Sequence, residues 1–272
     1  MKRAVVATML AIGTLVFGAD SPKPARRRGM PSPEERARIY RKYQERKLAK
    51  EGGMVVRADP ARRRVVFANA QERVPHADVE AVARAIGERY SIETAAMKQN
   101  GDVTVETAGM ALKENGAGAV VVVADMPRWP AVLAAPESRW VVVNVRALTA
   151  DGKENMLNER FRKEAWRAFA FVGGAANTLQ GECLMRPVET LSDLDHLKAQ
   201  NLSPEPDMRI REHLAALGVR PVVRASYLQA CREGWAPPPT NDVQKAVWEQ
   251  AKADKERGPT NPITIPPPNQ KK

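Results

Sequence analysis

The sequence is poor in the residues that most often build metal and redox sites. It has three histidines, His76, His196 and His213, and none lies between His76 and His196. No two stand at i and i+4, so a helix presenting two imidazoles to one ion is excluded. The cysteines are Cys183 and Cys231 alone. Two thiols cannot complete a thiolate zinc site, although an oxidising compartment would let them form one bridge. Aromatic residues make up 5% of the chain, so Trp129, Trp140, Trp166, Trp235 and Trp248 are expected as scattered packing side chains. There is no Gly-x-Ser-x-Gly elbow. Gly173-Gly174 lacks a preceding strand and a following Lys-Ser/Thr, and is no phosphate loop. Asp193 and Asp195 are expected as acids of a helix start rather than a catalytic dyad. Beyond the N-terminus, no apolar run approaches the roughly 20 residues of a membrane-spanning helix.

What is there begins with MKRAVVATMLAIGTLVFG, in which Lys2 and Arg3 precede an apolar run and then small residues. This is the anatomy of a signal peptide over 1–18, with cleavage after Gly18 or Ala19, and it predicts an exported chain, periplasmic or extracellular. No cysteine follows the run, so a bacterial lipid anchor is not expected. The formal charge is +11, and residues 20–64 carry fifteen Lys/Arg against six Asp/Glu. Without Lys2 and Arg3, residues 65–272 therefore sum to zero. A basic arm before a neutral body favours an anionic surface, such as lipid headgroups or an acidic glycan, or serves only as a solubilising leader.

Residues 20–30 are Pro- and Arg-rich and predict disorder. Ser32, Pro33 and Glu34/Glu35 open a helix over 33–50, largely solvated, with Ile39, Tyr40, Tyr43 and Leu48 its few apolar members. The runs MVVRAD and RRRVVFANA flank Asp59-Pro60 and predict a hairpin or two successive strands. Val79, Val82, Ala83 and Ile86 place a helix over 75–90. Ser91–Met97 and Asp102–Thr107 are strand or loop about Asn100-Gly101.

Two continuous apolar runs follow, 117–124 and 140–148, both too short for helices and expected as buried strands. The next stretch, Arg162 to Met185, is the one the sheet is built to support. Phe161, Ala165, Ala168/Phe169 and Val172 recur at helical spacing, which predicts a buried helix over 158–172 that stops at Gly173-Gly174. Short helices are expected at 192–198, 205–216 and 225–233, and a polar one from Asn241/Asp242 to Arg257. The 205–216 and 225–233 pair lacks the basic second helix of a DNA reader, so nucleic acid is not the expected partner. A Pro-rich tail over 258–272 has no means of building a core.

Two strands, an Arg-containing linker, a helix opening Lys163-Glu164-Ala165, a glycine turn and Cys183-Leu184-Met185 together resemble the archaemetzincins, a branch of the metzincin zinc peptidases. The resemblance covers about residues 65–200. It implies an α/β (α+β) fold, a zincin-like mixed sheet packed against helices, here with a helical C-terminal extension. In that family the helix carries His-Glu-x-x-His, whose i and i+4 imidazoles meet one ion while the glutamate acts on bound water. Keeping Lys163-Glu164-Ala165 as the lead-in places Arg167 at the first histidine, Ala168 at the glutamate and Phe171 at the second histidine. Gly174 then falls on the glycine, Asn177 on the third histidine and Met185 on the methionine turn. The positions that shape the family are present and those that catalyse are not. A permanent cation at Arg167 would also repel a divalent ion.

These readings predict no catalytic residue, no metal and no cofactor, and a vestigial cleft at Arg167, Ala168, Phe171, Gly174, Asn177 and Met185. The expected organisation is a signal peptide at 1–18, a basic arm and helix at 19–53 and a degenerate metzincin-like domain at 54–200. A helical extension at 201–257 and the tail follow. The function this implies is that of an exported pseudo-peptidase used for binding or structure. An adaptor acting through its basic arm and Pro-rich tail, or a hydrolase of unrecognised type, are the alternatives; the partner stays unknown.

Overall fold

Val65–Asn69 and Ala119–Val123 lie side by side as parallel strands, both valine-rich and buried on both faces. A computed structural model describes residues 31–257. The expected signal peptide, the segment 20–30 and the tail lie outside the described residues. By their contacts the described residues divide into two units, with the boundary between Lys47 and Leu48.

In order, the described elements start with helix α1 (Pro33–Glu51), strands β1 (Met54–Val56) and β2 (Arg64–Asn69), and helix α2 (His76–Tyr90). Then come β3 (Thr94–Lys98), α3 (Val105–Glu114), β4 (Ala117–Ala124), β5 (Val132–Ala135), β6 (Trp140–Asn144) and α4 (Leu157–Val172). The chain finishes with α5 (Leu191–His196), α6 (Pro204–Ala216), β7 (Arg224–Ser226), α7 (Tyr227–Glu233) and α8 (Asp242–Arg257).

The sheet order is β3-β2-β4-β6-β5. β3, β2, β4 and β6 run parallel, and β5 is an antiparallel edge on β6. This is the mixed sheet packed against helices that the sequence leads one to expect. Every residue of β4 is buried, and each of its valines removed from water contributes about 1.5–3 kcal/mol. One face of the sheet (Val65, Phe67, Val121, Val143) packs on α2, α4 and α6, with Phe161, Phe169 and Ile210 in the same core. The other face (Val66, Ala68, Val120, Val122) is covered by Ala108 and Ala111 of α3. A third, smaller core joins Leu48, Tyr227, Leu228 and Val247.

Of the two forms expected for 54–69, two successive strands are found rather than a hairpin: β1 pairs with β7 in a separate two-stranded sheet, and β2 joins the main one. Residues 105–107 open α3 rather than a strand. Thr104 and Thr107 exchange side-chain and backbone hydrogen bonds in a capping box, which satisfies the helix's first free amides. The second apolar run is strand only to Asn144. There the Asn144 amide donates to the carbonyls of Met126 and Trp129, and its oxygen accepts from the Met126 amide, so the side chain ties down a loop. Within the helical segment 201–257, Leu202, Ile210 and Leu214 pack in the main core.

Candidate functional site

Helix α4 is buried almost all the way round, yet Arg160, Lys163, Glu164 and Arg167 are among its buried residues. Spacings of three and four place them in one polar stripe along the helix. Buried charges cost several kcal/mol each unless paired, so their partners define the site.

Arg160 is fully buried. Its guanidinium donates to both carboxylate oxygens of Asp151 (2.8 Å each), to both of Asp195 (2.7 Å each) and to the Leu148 carbonyl. Those hydrogen bonds hold the Asp195 and Asp151 carboxyls below the ordinary carboxylate range and push Arg160 further up. Lys163 donates to the Asp195 carbonyl at 2.8 Å and pairs with Glu159 at 2.7 Å. Asp195 is therefore an anchor for α4, and Asp193 caps α5 through the Thr190 capping box.

One turn further, Nη1 of Arg167 donates to the carbonyls of Leu184 and Arg186 at 2.6 and 2.7 Å, one on each side of Met185. Its guanidinium also lies over the Phe171 ring, 5.6 Å from the centroid. Nε of Arg167 is 3.3 Å from each carboxylate oxygen of Glu164, with hydrogen-bond geometry to Oε1 alone, so Oε2 has no hydrogen-bond partner. Burial pushes the Glu164 carboxyl up, against the charge of Arg167. Two of the three positions that the sequence resemblance assigns to imidazoles, Arg167 and Phe171, thus hold a cation–π pair. The cation is fastened to the segment that follows the glycine turn.

That turn is tight. Gly174 has φ +80°, and a Cβ placed on it would stand 2.9 Å from the His213 ring of α6. Beyond it the chain folds back so that Thr178 donates to the Met185 carbonyl and Arg186 to the Cys183 carbonyl. Met185 is fully buried and packs in the main core. Arg167 and Ala168 are buried as well, Phe171 and Gly174 are half-buried and Asn177 is exposed. The six positions are brought to one end of α4. Asn177 borders a cavity of about 90 Å³ with Glu205 and Arg209. A larger one of about 390 Å³ lies at the ends of β2 and β3, between Asn69, His76 and Lys98.

The bridge that an oxidising compartment would allow between Cys183 and Cys231 is not formed in this structure, where both thiols are free. Cys183 is in the main core and accepts hydrogen bonds from the amide and hydroxyl of Ser203, whereas Cys231 packs against the third core. The histidines stay apart. Nε2 of His76 is 3.5 Å from Glu80, Nδ1 of His196 is 2.6 Å from the Ser192 carbonyl, and His213 rests on Gly174. Among the described residues, no three His, Cys, Asp or Glu side chains gather as a metal site would need.

Arg167 is legible in the sequence, whereas the burial of Arg160, Lys163 and Glu164 is not. A run of charges on a helix ordinarily marks a solvated face, and only the distant partners Asp151 and Asp195 reveal otherwise.

In fold the chain is similar to archaemetzincin from Methanopyrus kandleri, with a TM-score of 0.46 and 16% identity over 58% of this chain and 98% of that one. It is also similar to a zinc-dependent peptidase from Methanocorpusculum labreanum, with a TM-score of 0.44 and 12% identity over 54% of this chain and 99% of that one. No protein-family model matches the sequence, and no curated protein matches it.

Proposed function

We propose that this chain is an exported, catalytically inactive protein on a peptidase-related fold, and that it serves in binding or as structure. Arg167 carries the reading. Its guanidinium is permanently charged, is buried, and is hydrogen-bonded on both sides of Met185. A group so placed closes α4 onto the segment 183–186 by direct bonds. It leaves neither a free base for activating water nor a neutral ligand for a divalent ion at that point of the helix. Ala168, next to it, has no group that could take or give a proton. The buried stripe of α4 acts on this reading as an internal brace, with Arg160 and Arg167 as its two cross-links.

The experiment is metal analysis and a peptidase assay on the chain without residues 1–18, with and without added zinc. No stoichiometric ion and no cleavage are expected. A stoichiometric, chelator-sensitive ion accompanied by peptide cleavage would overturn the reading. Export is tested by N-terminal mass spectrometry of protein recovered from each compartment. Recovery from the cytoplasm alone, with Met1 intact, would remove that part.

A further inference from the structure

We infer that α1 is a membrane-surface helix that seats the chain on anionic phospholipid. The observation is how its side chains sort. At about 100° per residue, Arg36, Ile39, Tyr40, Tyr43, Arg46 and Lys47 fall within one sector of roughly 120° of the helix. Glu34, Glu35, Glu45 and Glu51 all fall outside that sector. Ile39, Tyr40 and Tyr43 are 59%, 65% and 63% exposed, so the helix presents its largest apolar bodies to solvent among cations. Leu48, the buried residue of α1, lies on the other side of the cylinder.

The sorting matches one occupant. A tyrosine ring has an apolar body and a polar tip, which suits the headgroup level of a bilayer. Arginine and lysine lay their stems on apolar surface while their charged ends reach lipid phosphates. A carboxylate on that face would be repelled, and the face has none. The charge of the chain is complementary in the same sense, because residues 20–64 hold +9 while residues 65–272 sum to zero. An acidic glycan would be satisfied by the charge alone and gives no role to Ile39, Tyr40 and Tyr43. No helix among the described residues is long and apolar enough to cross a membrane. The attachment is therefore by a helix lying in the interface. The inference does not rest on the inactivity proposed above, so either can fail without the other.

The test is co-sedimentation of the chain lacking residues 1–18, whose apolar run would itself partition, with phosphatidylcholine vesicles with and without phosphatidylglycerol. Binding is expected only with the anionic lipid, and should weaken with salt. The Ile39→Ala/Tyr40→Ala/Tyr43→Ala variant keeps good helix formers and should lose about tenfold or more of the partition. Arg36→Gln/Arg46→Gln should weaken binding and flatten its salt dependence. Circular dichroism and thermal unfolding check that both variants fold as the parent does. Equal binding to neutral vesicles, or an apolar variant that binds like the parent, overturns the inference. So does binding to heparin or duplex DNA in the absence of vesicle binding.

Discussion

The carboxylate of Glu164 and the guanidinium of Arg167 meet 3.3 Å apart inside the protein, their side chains only 4% and 5% exposed. Removing the cation alone leaves a buried acid without its counter-charge. Arg167→Met should therefore destabilise by about 3–5 kcal/mol, and adding Glu164→Leu should restore much of the loss. Urea unfolding of both single variants and the double variant closes the cycle. Additive losses would show that the two groups are not coupled.

The same stripe makes stability depend on pH in two opposite ways. The folded pKa of Glu164 is raised above its ordinary 4.5. Its contribution is therefore complete below that value and is lost as pH rises toward the folded one. Glu164→Gln should flatten this decline and gain on the parent as pH rises. The folded pKa of Asp195 lies below its ordinary 3.8. Its contribution is present above that value and is lost as pH falls through the folded one. Asp195→Asn should flatten the acid limb and lower stability at neutral pH. Thermal unfolding of both variants from acid to neutral pH separates the two windows.

Gly174 meets two constraints at once, a left-handed backbone and the ring of His213. Gly174→Ala should cost about 1–2 kcal/mol for the backbone alone, with the clash in addition. His213→Ala in the same chain removes the ring but keeps a Cβ 3.0 Å from the added methyl, so it should recover part of the clash and none of the backbone cost. Full recovery in chemical unfolding would show that the backbone was not strained.

The two thiols should differ in reach. Cys231 is half-buried and its thiol is pushed up by burial, whereas Cys183 is buried beneath Ser203. Intact-mass measurement without reductant should find both cysteines reduced. An aromatic disulfide reagent should modify Cys231 slowly and Cys183 only on unfolding. A bridged species of the monomer would contradict the separation of their cores.

β4, α4 and α6 can be read in the sequence because composition and spacing decide them. A run of eight apolar residues has one buried solution, and Ser203-Pro204 and Gly218 bracket α6. α3 escapes, because Val103 and Val105 alternate with polar residues as in a strand, while the decisive Thr104–Thr107 exchange depends on one capped turn. β5 escapes because four residues between prolines carry too little pattern, and its place is set by pairing with β6. At the site, helical spacing suffices to put Arg167 and Phe171 on one face. The burial of Arg160 does not follow from spacing, since Asp195 reaches it from 35 residues away.

The short ladder of β1 and β7 also decides how the body would take a mechanical load. Met54 pairs with Ser226 and Val56 with Arg224, so the strands run antiparallel with both outward-leading ends at the Met54–Ser226 rung. Tension applied at the two ends of this region would open the ladder like a zipper, one rung at a time. The five-stranded sheet would bear none of that force until the last rung had parted.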